Sequence, residues 1–246
     1  MEHILNITFV GISAGVVGTA IGGILALFFS KASNKIISFV LEFSAGLMVA
    51  VVCFDLLPNA FEMSNFLPVL LGIFSGVMFA MYMQEKIKYS PKAISSGKSG
   101  LLGTGIMMFA SIAAHHFPEG LAIGSGYEAS TALGISLTIV LIFHDIPEGL
   151  ALALPLKKSG VSSIKVVLAA AICGIPTGIG AFVGVSIGYI SKDIIAICLA
   201  AAGGAMLYVS IGDLVAESKQ IYSGRWSSVG NVLGMLVGLI ISYSLG

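Results

Sequence analysis

The stretch Ala132–Leu156, with the sequence ALGISLTIVLIFHDIPEGLALALPL, is an apolar run of 25 residues that contains three ionisable side chains. A helix needs about 20 predominantly apolar residues to cross the hydrocarbon core of a bilayer, so this stretch is long enough to span a membrane. The whole chain of 246 residues is 57% hydrophobic and 10% charged, whereas soluble domains carry about 25% charged residues. This composition excludes a water-soluble globular protein.

Eight apolar runs of this kind follow one another along the chain and leave no room for a second, soluble domain. We therefore predict an all-α, polytopic membrane protein in which residues 1–246 form a single bundle of eight transmembrane helices. The longest polar segment, at about residues 84–100, is predicted to be a cytoplasmic linker. The predicted spans are about Ile4–Phe29, Ile36–Leu57, Phe66–Met83, Leu101–Gly124, Ala132–Leu156, Val166–Ile190, Ile194–Val215 and Val229–Leu245.

Lysine and arginine residues set the predicted orientation, because basic residues are retained on the cytoplasmic side of a membrane. Eleven of the twelve lie in the loops after spans 1, 3, 5 and 7, and only Lys192 lies on the opposite side. Both termini are therefore predicted to be extracytoplasmic, in a multi-pass protein of the cytoplasmic membrane. The formal net charge is zero, so we expect no binding of nucleic acid.

Glycine is abundant, with 31 residues, and recurs at helical spacing, as at Gly72 and Gly76 or at Gly234 and Gly238. Small residues at this spacing let two membrane helices approach closely. We interpret these glycines as helix-packing positions. A surface along which one group of helices slides past another is the alternative.

Spans 4 and 5 carry the same polar motif, and the second copy begins 29 residues after the first. The motif reads HHFPEGLA at residues 115–122 and HDIPEGLA at residues 144–151. A charged group inside a bilayer is costly, so ionisable residues in a span indicate a functional site. Two copies on neighbouring spans are predicted to converge near the middle of the membrane. The candidate residues are His115, His116, Glu119, His144, Asp145 and Glu148.

The connection between the two motifs presents a geometric difficulty. The polar segment Ser125–Thr131 is centred near residue 128, whereas the histidine-to-glutamate parts of the motifs, residues 115–119 and 144–148, are symmetric about residue 131.5. In ideal helices the motif centres would then differ in depth by about 10 Å. We expect unwinding at the prolines of the motifs, or through Gly124 and Gly126, to absorb this difference.

The chemistry of the motifs indicates a divalent metal ion. Imidazole nitrogen and carboxylate oxygen together suit Zn²⁺, Fe²⁺ or Mn²⁺, whereas a cage of oxygen atoms alone suits Mg²⁺ or Ca²⁺. Glu119, Asp145 and Glu148 bring three negative charges, and no predicted span contains lysine or arginine. A divalent cation is the simplest compensation for these charges, and protonation of the carboxylates is the alternative.

An intramembrane zinc-dependent hydrolase is the main alternative function. A zinc ion held by histidine and glutamate could activate a water molecule for cleavage of a lipid or peptide. The sequence, however, lacks the HExxH pattern of zinc proteases, because residue 116 is histidine rather than glutamate. We therefore predict that the protein is not an enzyme.

At these motifs the sequence resembles the ZIP (Zrt/Irt-like) family of divalent metal transporters, particularly its bacterial, GufA-like members. The resemblance covers essentially the whole chain, including the segments SAGLM at residues 44–48 and AMLYV at residues 205–209. It implies transport of zinc, or of Fe²⁺, Mn²⁺ or Cd²⁺, into the cytoplasm by alternating access, without a catalytic cofactor. Spans 1, 4, 5 and 6 would move as a bundle against spans 2, 3, 7 and 8.

The resemblance also implies which residues bind metal. Four residues of spans 4 and 5 would hold a primary ion, and the two glutamates among them would bridge it to a second ion. The expected partners are divalent metal ions and the lipid bilayer, with a homodimer as one oligomeric form. The implied ligands are His115, Glu119, His144 and Glu148 for the primary ion, joined by His116 and Asp145 for the second.

Residues on other spans complete the implied route. Met48 on span 2 corresponds to a further ligand, with core packing as the alternative. Thr177 stands where many members carry an acid in span 6, so it would be at most a weak, neutral ligand. Asp55 and Asp213 match or lie near acidic positions along the route and are interpreted as relay sites, with capping or an interface as the alternative. Glu42 is expected to be solvated near the end of span 2.

Overall fold

The computed structural model describes residues 1–29, 33–88 and 101–245, and within these ranges the regular structure is entirely helical. Eight helical segments follow one another, and seven of them are long and apolar enough to cross a membrane. The predicted all-α, polytopic architecture is confirmed. The segments are α1 (Glu2–Phe28), α2 (Asn34–Met63), α3 (Phe66–Lys88), α4 (Leu101–Ala129), α5 (Thr131–Lys158), α6 (Ser163–Gly188), α7 (Lys192–Ile221) and α8 (Trp226–Leu245).

Helix α4 corresponds to the predicted fourth span but is not among the seven. Its 29 residues are long enough to cross a bilayer, but His115, His116 and Glu119 reduce its apolar character. The count of eight membrane crossings and the extracytoplasmic termini therefore stay predictions.

Two connections differ from those predicted. The predicted linker begins near residue 84, but α3 continues to Lys88, and the remainder of that linker lies outside the described residues. The predicted polar connection Ser125–Thr131 is also wrong, because α4 continues to Ala129 and the chain reverses at Ser130 alone. The Ser130 hydroxyl accepts a hydrogen bond from the backbone N–H of Leu133 and so caps α5.

Two helices contain π-helical turns that the sequence does not predict. One turn, Val52–Leu56 in α2, includes Asp55, and the other, Ser210–Leu214 in α7, includes Asp213. Such turns are uncommon inside α-helices and frequently occur at functional sites. Each predicted relay acid therefore lies at an irregular point of its helix.

Glycines bring helix backbones into contact within two groups of helices. A methyl group built on Gly22 would overlap the backbone of α5, and one built on Gly120 would overlap the carbonyl of Thr177 in α6. In the same way Gly76 of α3 meets the backbone of α7, and Gly234 of α8 meets that of α2. Among the described glycines, every such interhelix overlap falls within α1, α4, α5 and α6 or within α2, α3, α7 and α8. This pattern favours the packing interpretation of the glycines.

The helices differ in how far neighbouring protein covers them. In the most apolar stretch of α5 and of α7, 67% of the residues are buried inside the protein, whereas in that of α3 only 22% are buried. The ionisable residues of the α5 motif, His144, Asp145 and Glu148, are fully buried and therefore face protein rather than lipid. This position is the one that membrane proteins use for intramembrane charges.

The predicted orientation can be tested with single cysteines at Ser130 and Ser159, which are exposed at opposite ends of α5. In a Cys53→Ser background, we expect Ser130→Cys to react with a membrane-impermeant maleimide in intact cells. Ser159→Cys should react only after the membrane is permeabilised. The reverse order of labelling would contradict the assignment of the lysine-rich loops to the cytoplasm.

Candidate metal centre

Four ionisable side chains meet where α4 packs against α5. One ligand atom each from Glu119, His144, Asp145 and Glu148 lies within 4.8 Å of the others, and all four residues are fully buried. Burying three carboxylates together is costly because their charges repel one another and lose hydration. Their convergence therefore marks a candidate cation site.

Two histidines, one on α4 and one on α5, face the carboxylates of this group. His144 of α5 has its Nε2 atom 3.1 Å from Glu119 Oε1 and 3.4 Å from Glu148 Oε1. His116 of α4 has its Nε2 atom 3.5 Å from Asp145 Oδ1 and 3.8 Å from Glu119 Oε2. We refer to His116, Glu119, His144, Asp145 and Glu148 as the five-residue centre.

Hydrogen bonds at the Nδ1 atoms orient both imidazole rings. His116 Nδ1 lies 2.8 Å from the carbonyl oxygen of Ile112. Because a carbonyl oxygen only accepts, Nδ1 carries a proton, and in the neutral ring Nε2 then carries the lone pair. His144 Nδ1 lies 2.7 Å from the hydroxyl of Ser44 on α2. A neutral imidazole whose other nitrogen is held by such a bond is the usual form of a metal ligand.

In the part of the chain that the structure describes, most polar atoms that face the interior of the centre lack a hydrogen-bond partner. These atoms are the Nε2 of His116, one oxygen of Glu119 and both oxygens of Asp145 and of Glu148. Buried polar groups without partners are uncommon in proteins and destabilise the folded state. Among the basic side chains that the structure describes, only histidines lie within 4 Å of the carboxylates of the centre. A bound divalent cation would satisfy these groups together.

His115 lies apart from the five-residue centre. Its Nε2 atom is 3.4 Å from Asp213 Oδ2, in the π-helical turn of α7. The sequence places His115 with Glu119 at a spacing of four residues, whereas the structure places His116 beside Glu119 at a spacing of three. Neighbouring side chains on a helix point about 100° apart, and here His115 extends towards Asp213 of α7 while His116 extends towards Asp145 of α5.

The remaining candidates from the sequence occupy separate positions. Met48 is buried in the apolar core. Thr177 of α6 is 1% exposed, and its hydroxyl has no hydrogen-bond partner. Asp55 Oδ1 accepts a hydrogen bond of 2.8 Å from the hydroxyl of Ser242 on α8. None of these three residues belongs to the group of four whose ligand atoms lie within 4.8 Å of one another.

The predicted difference in depth between the motifs is not found. The chain turns at Ser130, so the motif centres at residues 117 and 146 lie 13 and 16 residues away. This difference of three residues corresponds to about 4.5 Å, rather than the 10 Å expected for a turn near residue 128. The expectation that the helices unwind is also wrong, because Pro118 and Pro147 lie inside continuous helices.

The sequence interpretation missed two polar contacts of α2. Glu42 is 2% exposed and accepts an ion-paired hydrogen bond of 2.8 Å from Lys219 Nζ, so the expectation that it is solvated is wrong. Ser44, which contacts His144, lies in the SAGLM segment but has no predicted role. A hydroxyl within an apolar span is the only signal that could have indicated Ser44.

Comparisons with a family model and with known proteins agree on one family. The family model described as ZIP zinc transporter matches residues 88–246. The zinc transporter ZupT of Chlorobium limicola is 28% identical over 240 residues, which cover 89% of this chain and 90% of that protein. The proteins of the same name from Enterobacter sp. strain 638 and Shigella flexneri are each 29% identical, over 112 and 119 residues. Each of these two matches covers 42% of this chain and 44% of the relative. In these alignments the chain therefore spans less than half the length of the relative.

Proposed function

The chain belongs to the ZIP zinc transporter family, and from this premise we propose that it carries divalent metal ions, chiefly zinc, across the cytoplasmic membrane into the cell. It would act as a transporter rather than as an enzyme. The five-residue centre is the observation that carries this proposal. Three carboxylates and two imidazole nitrogens face one another in the interior of the protein, and most of these atoms have no other partner.

The donor atoms of the centre fit the proposed substrate. Zinc binds imidazole nitrogen and carboxylate oxygen readily, and Fe²⁺, Mn²⁺ and Cd²⁺ are further substrates on the same grounds. We assign Glu119, His144, Asp145 and Glu148 as the ligands closest to the ion, with His116 beside them. Discrimination among these ions would follow their general affinity order rather than a strict size limit.

We assign the His115–Asp213 pair to the route between the centre and the cytoplasm. A cavity of about 340 Å³ lies beside this pair and is lined in part by Asp213, Glu217, Gln84 and Ser111. Gln84 and Ser111 lie towards the ends of α3 and α4 that the lysine distribution assigns to the cytoplasm. The carboxylates of this cavity would receive an ion that leaves the centre. Asp55, on the outer half of α2, would lie on the entry side.

Alternating access requires two parts of the protein to move relative to each other. The glycine contacts bind α1, α4, α5 and α6 to one another, and they bind α3 to α7 and α2 to α8. The five-residue centre lies on the first group. From the second group, Ser44 contacts His144 of the centre, and Asp213 contacts His115 of α4. We propose that the first group moves with the ion and exchanges these contacts when the centre opens to the other side.

Zinc influx into proteoliposomes tests the proposed function. Vesicles that contain the protein and an entrapped zinc-sensitive dye should accumulate zinc with saturable kinetics, and protein-free vesicles should not. Unlabelled Fe²⁺, Mn²⁺ and Cd²⁺ should compete. Absence of influx together with metal-dependent hydrolysis of lipid or peptide would contradict transport and favour the hydrolase.

A further inference from the structure

Ser44 connects the proposed ligand His144 to a helix of the other group. The Ser44 hydroxyl oxygen lies 2.7 Å from His144 Nδ1 and 3.3 Å from the backbone carbonyl oxygen of the same residue. Ser44 and His144 are both 0% exposed. Water therefore cannot replace the hydroxyl without a change in the packing of α2 against α5.

The two contacts together favour one placement of the hydrogen atoms. The hydroxyl has one proton, and the carbonyl oxygen of His144 can only accept. With the hydroxyl donating to that carbonyl, its oxygen accepts from Nδ1–H of the ring. The Nε2 atom then faces Glu119 and Glu148 with its lone pair, and its 3.1 Å hydrogen bond with Glu119 Oε1 needs a proton from the carboxyl group, which a bound metal ion would replace. In the opposite arrangement the hydroxyl would donate to Nδ1, and a proton on Nε2 would prevent metal binding.

We propose that Ser44 is a positioning residue for metal binding, which holds His144 with Nδ1 protonated and Nε2 directed at the ion. This inference rests on the proposed function and adds to it a residue outside the five-residue centre. Ser44 belongs to the group of α2, α3, α7 and α8, whereas His144 belongs to the other group. Metal affinity therefore depends on how the two groups are arranged, because separation of α2 from α5 would remove the partner of Nδ1.

Zinc binding to the purified, full-length protein tests this role. We expect Ser44→Ala to weaken zinc binding about 10- to 100-fold in titration calorimetry, the range seen when a hydrogen-bond partner of a metal-bound histidine is lost. Ser44→Thr keeps the hydroxyl and should retain most of the affinity. Ser136→Ala is the matched control, because Ser136 is buried on the helix of His144 and its hydroxyl has no partner. It should bind zinc like the wild type.

The ring nitrogens provide a second readout, which a merely structural role would not alter. With ¹⁵N-labelled histidine, the spectrum contains only four imidazoles, and the His144 signals should report a proton on Nδ1 in the wild type. Ser44→Ala should shift this ring towards the Nε2–H form, and Ser44→Thr should not. If the alanine variant does not fold, Ser44→Cys replaces it, because the thiol hydrogen-bonds more weakly at similar size.

The outcomes separate this inference from the proposed function. Weaker zinc binding and an altered ring form in Ser44→Ala, with neither change in Ser136→Ala, would support the positioning role. Wild-type affinity and an unchanged ring form in Ser44→Ala would overturn it and leave transport intact. Failure of the wild-type protein to bind zinc would instead overturn the proposed function.

Discussion

Replacement of Glu119 by glutamine is expected to abolish high-affinity zinc binding and, with it, zinc uptake. Glu119 contacts both histidines of the five-residue centre, at 3.1 Å from His144 and 3.8 Å from His116. Glutamine has nearly the same size, so the change removes a charge without opening a cavity. Loss of one partner from a buried charged pair costs about 3–5 kcal/mol, which corresponds to a decrease in affinity of roughly 10²- to 10⁴-fold.

The stability of the metal-free protein distinguishes a ligand from a structural residue. Without an ion, the carboxylates of Glu119, Asp145 and Glu148 repel one another, and several of their oxygens have no partner. Removing one charge should therefore leave the thermal unfolding temperature of the metal-free protein unchanged or raise it. Added zinc should stabilise the wild type, because a ligand of the folded state shifts the unfolding equilibrium, but it should not stabilise Glu119→Gln.

Glu62→Gln is the matched control, because Glu62 is exposed and lies outside the centre. It should retain both zinc uptake and stabilisation by zinc. Wild-type uptake by Glu119→Gln in proteoliposomes would contradict the assignment of the centre. A large loss of metal-free stability in Glu119→Gln would instead assign the residue a structural role.

The membrane fold could be predicted because hydropathy alone specifies where helices lie in an apolar solvent. The ends of the helices depend on tertiary contacts that hydropathy does not report. The segment after Gly124 is polar enough to resemble a loop, yet α4 continues through it because Ser125 is buried and Glu128 packs against Gly188 of α6. This extension of α4 moves the turn to Ser130 and brings the two motifs to similar depths.

The residues that could form the centre were evident from the repeated motif, but their grouping was not. The choice between His115 and His116 depends on how α4 is rotated about its axis, and α6 sets that rotation through the glycine contacts. The contribution of Ser44 could not be predicted either, because it lies 100 residues from His144 in sequence. The π-helical turn that carries Asp213 is a local irregularity without a motif of its own.

Gly120→Ala is expected to destabilise the protein strongly and to weaken zinc binding. A methyl group at Gly120 would overlap the backbone carbonyl of Thr177 and lie 2.8 Å from the backbone nitrogen of Ala181. Overpacking typically costs 1–3 kcal/mol, and because these obstacles are backbone atoms we expect about 3 kcal/mol. Gly120 follows Glu119 directly, so a shift of α4 away from α6 would also displace that ligand.

Gly212→Ala should have the opposite effect on stability, which makes it the matched control. A methyl group at Gly212 would meet no atom within 4 Å, and alanine favours the helical conformation over glycine by about 1 kcal/mol. Thermal unfolding of both metal-free variants in detergent should therefore give a lower transition temperature than wild type for Gly120→Ala and an equal or higher one for Gly212→Ala. Equal transition temperatures would contradict the close α4–α6 contact. Because that contact orients the face of α4 that carries His116 and Glu119, the geometry of the metal centre would then need another cause.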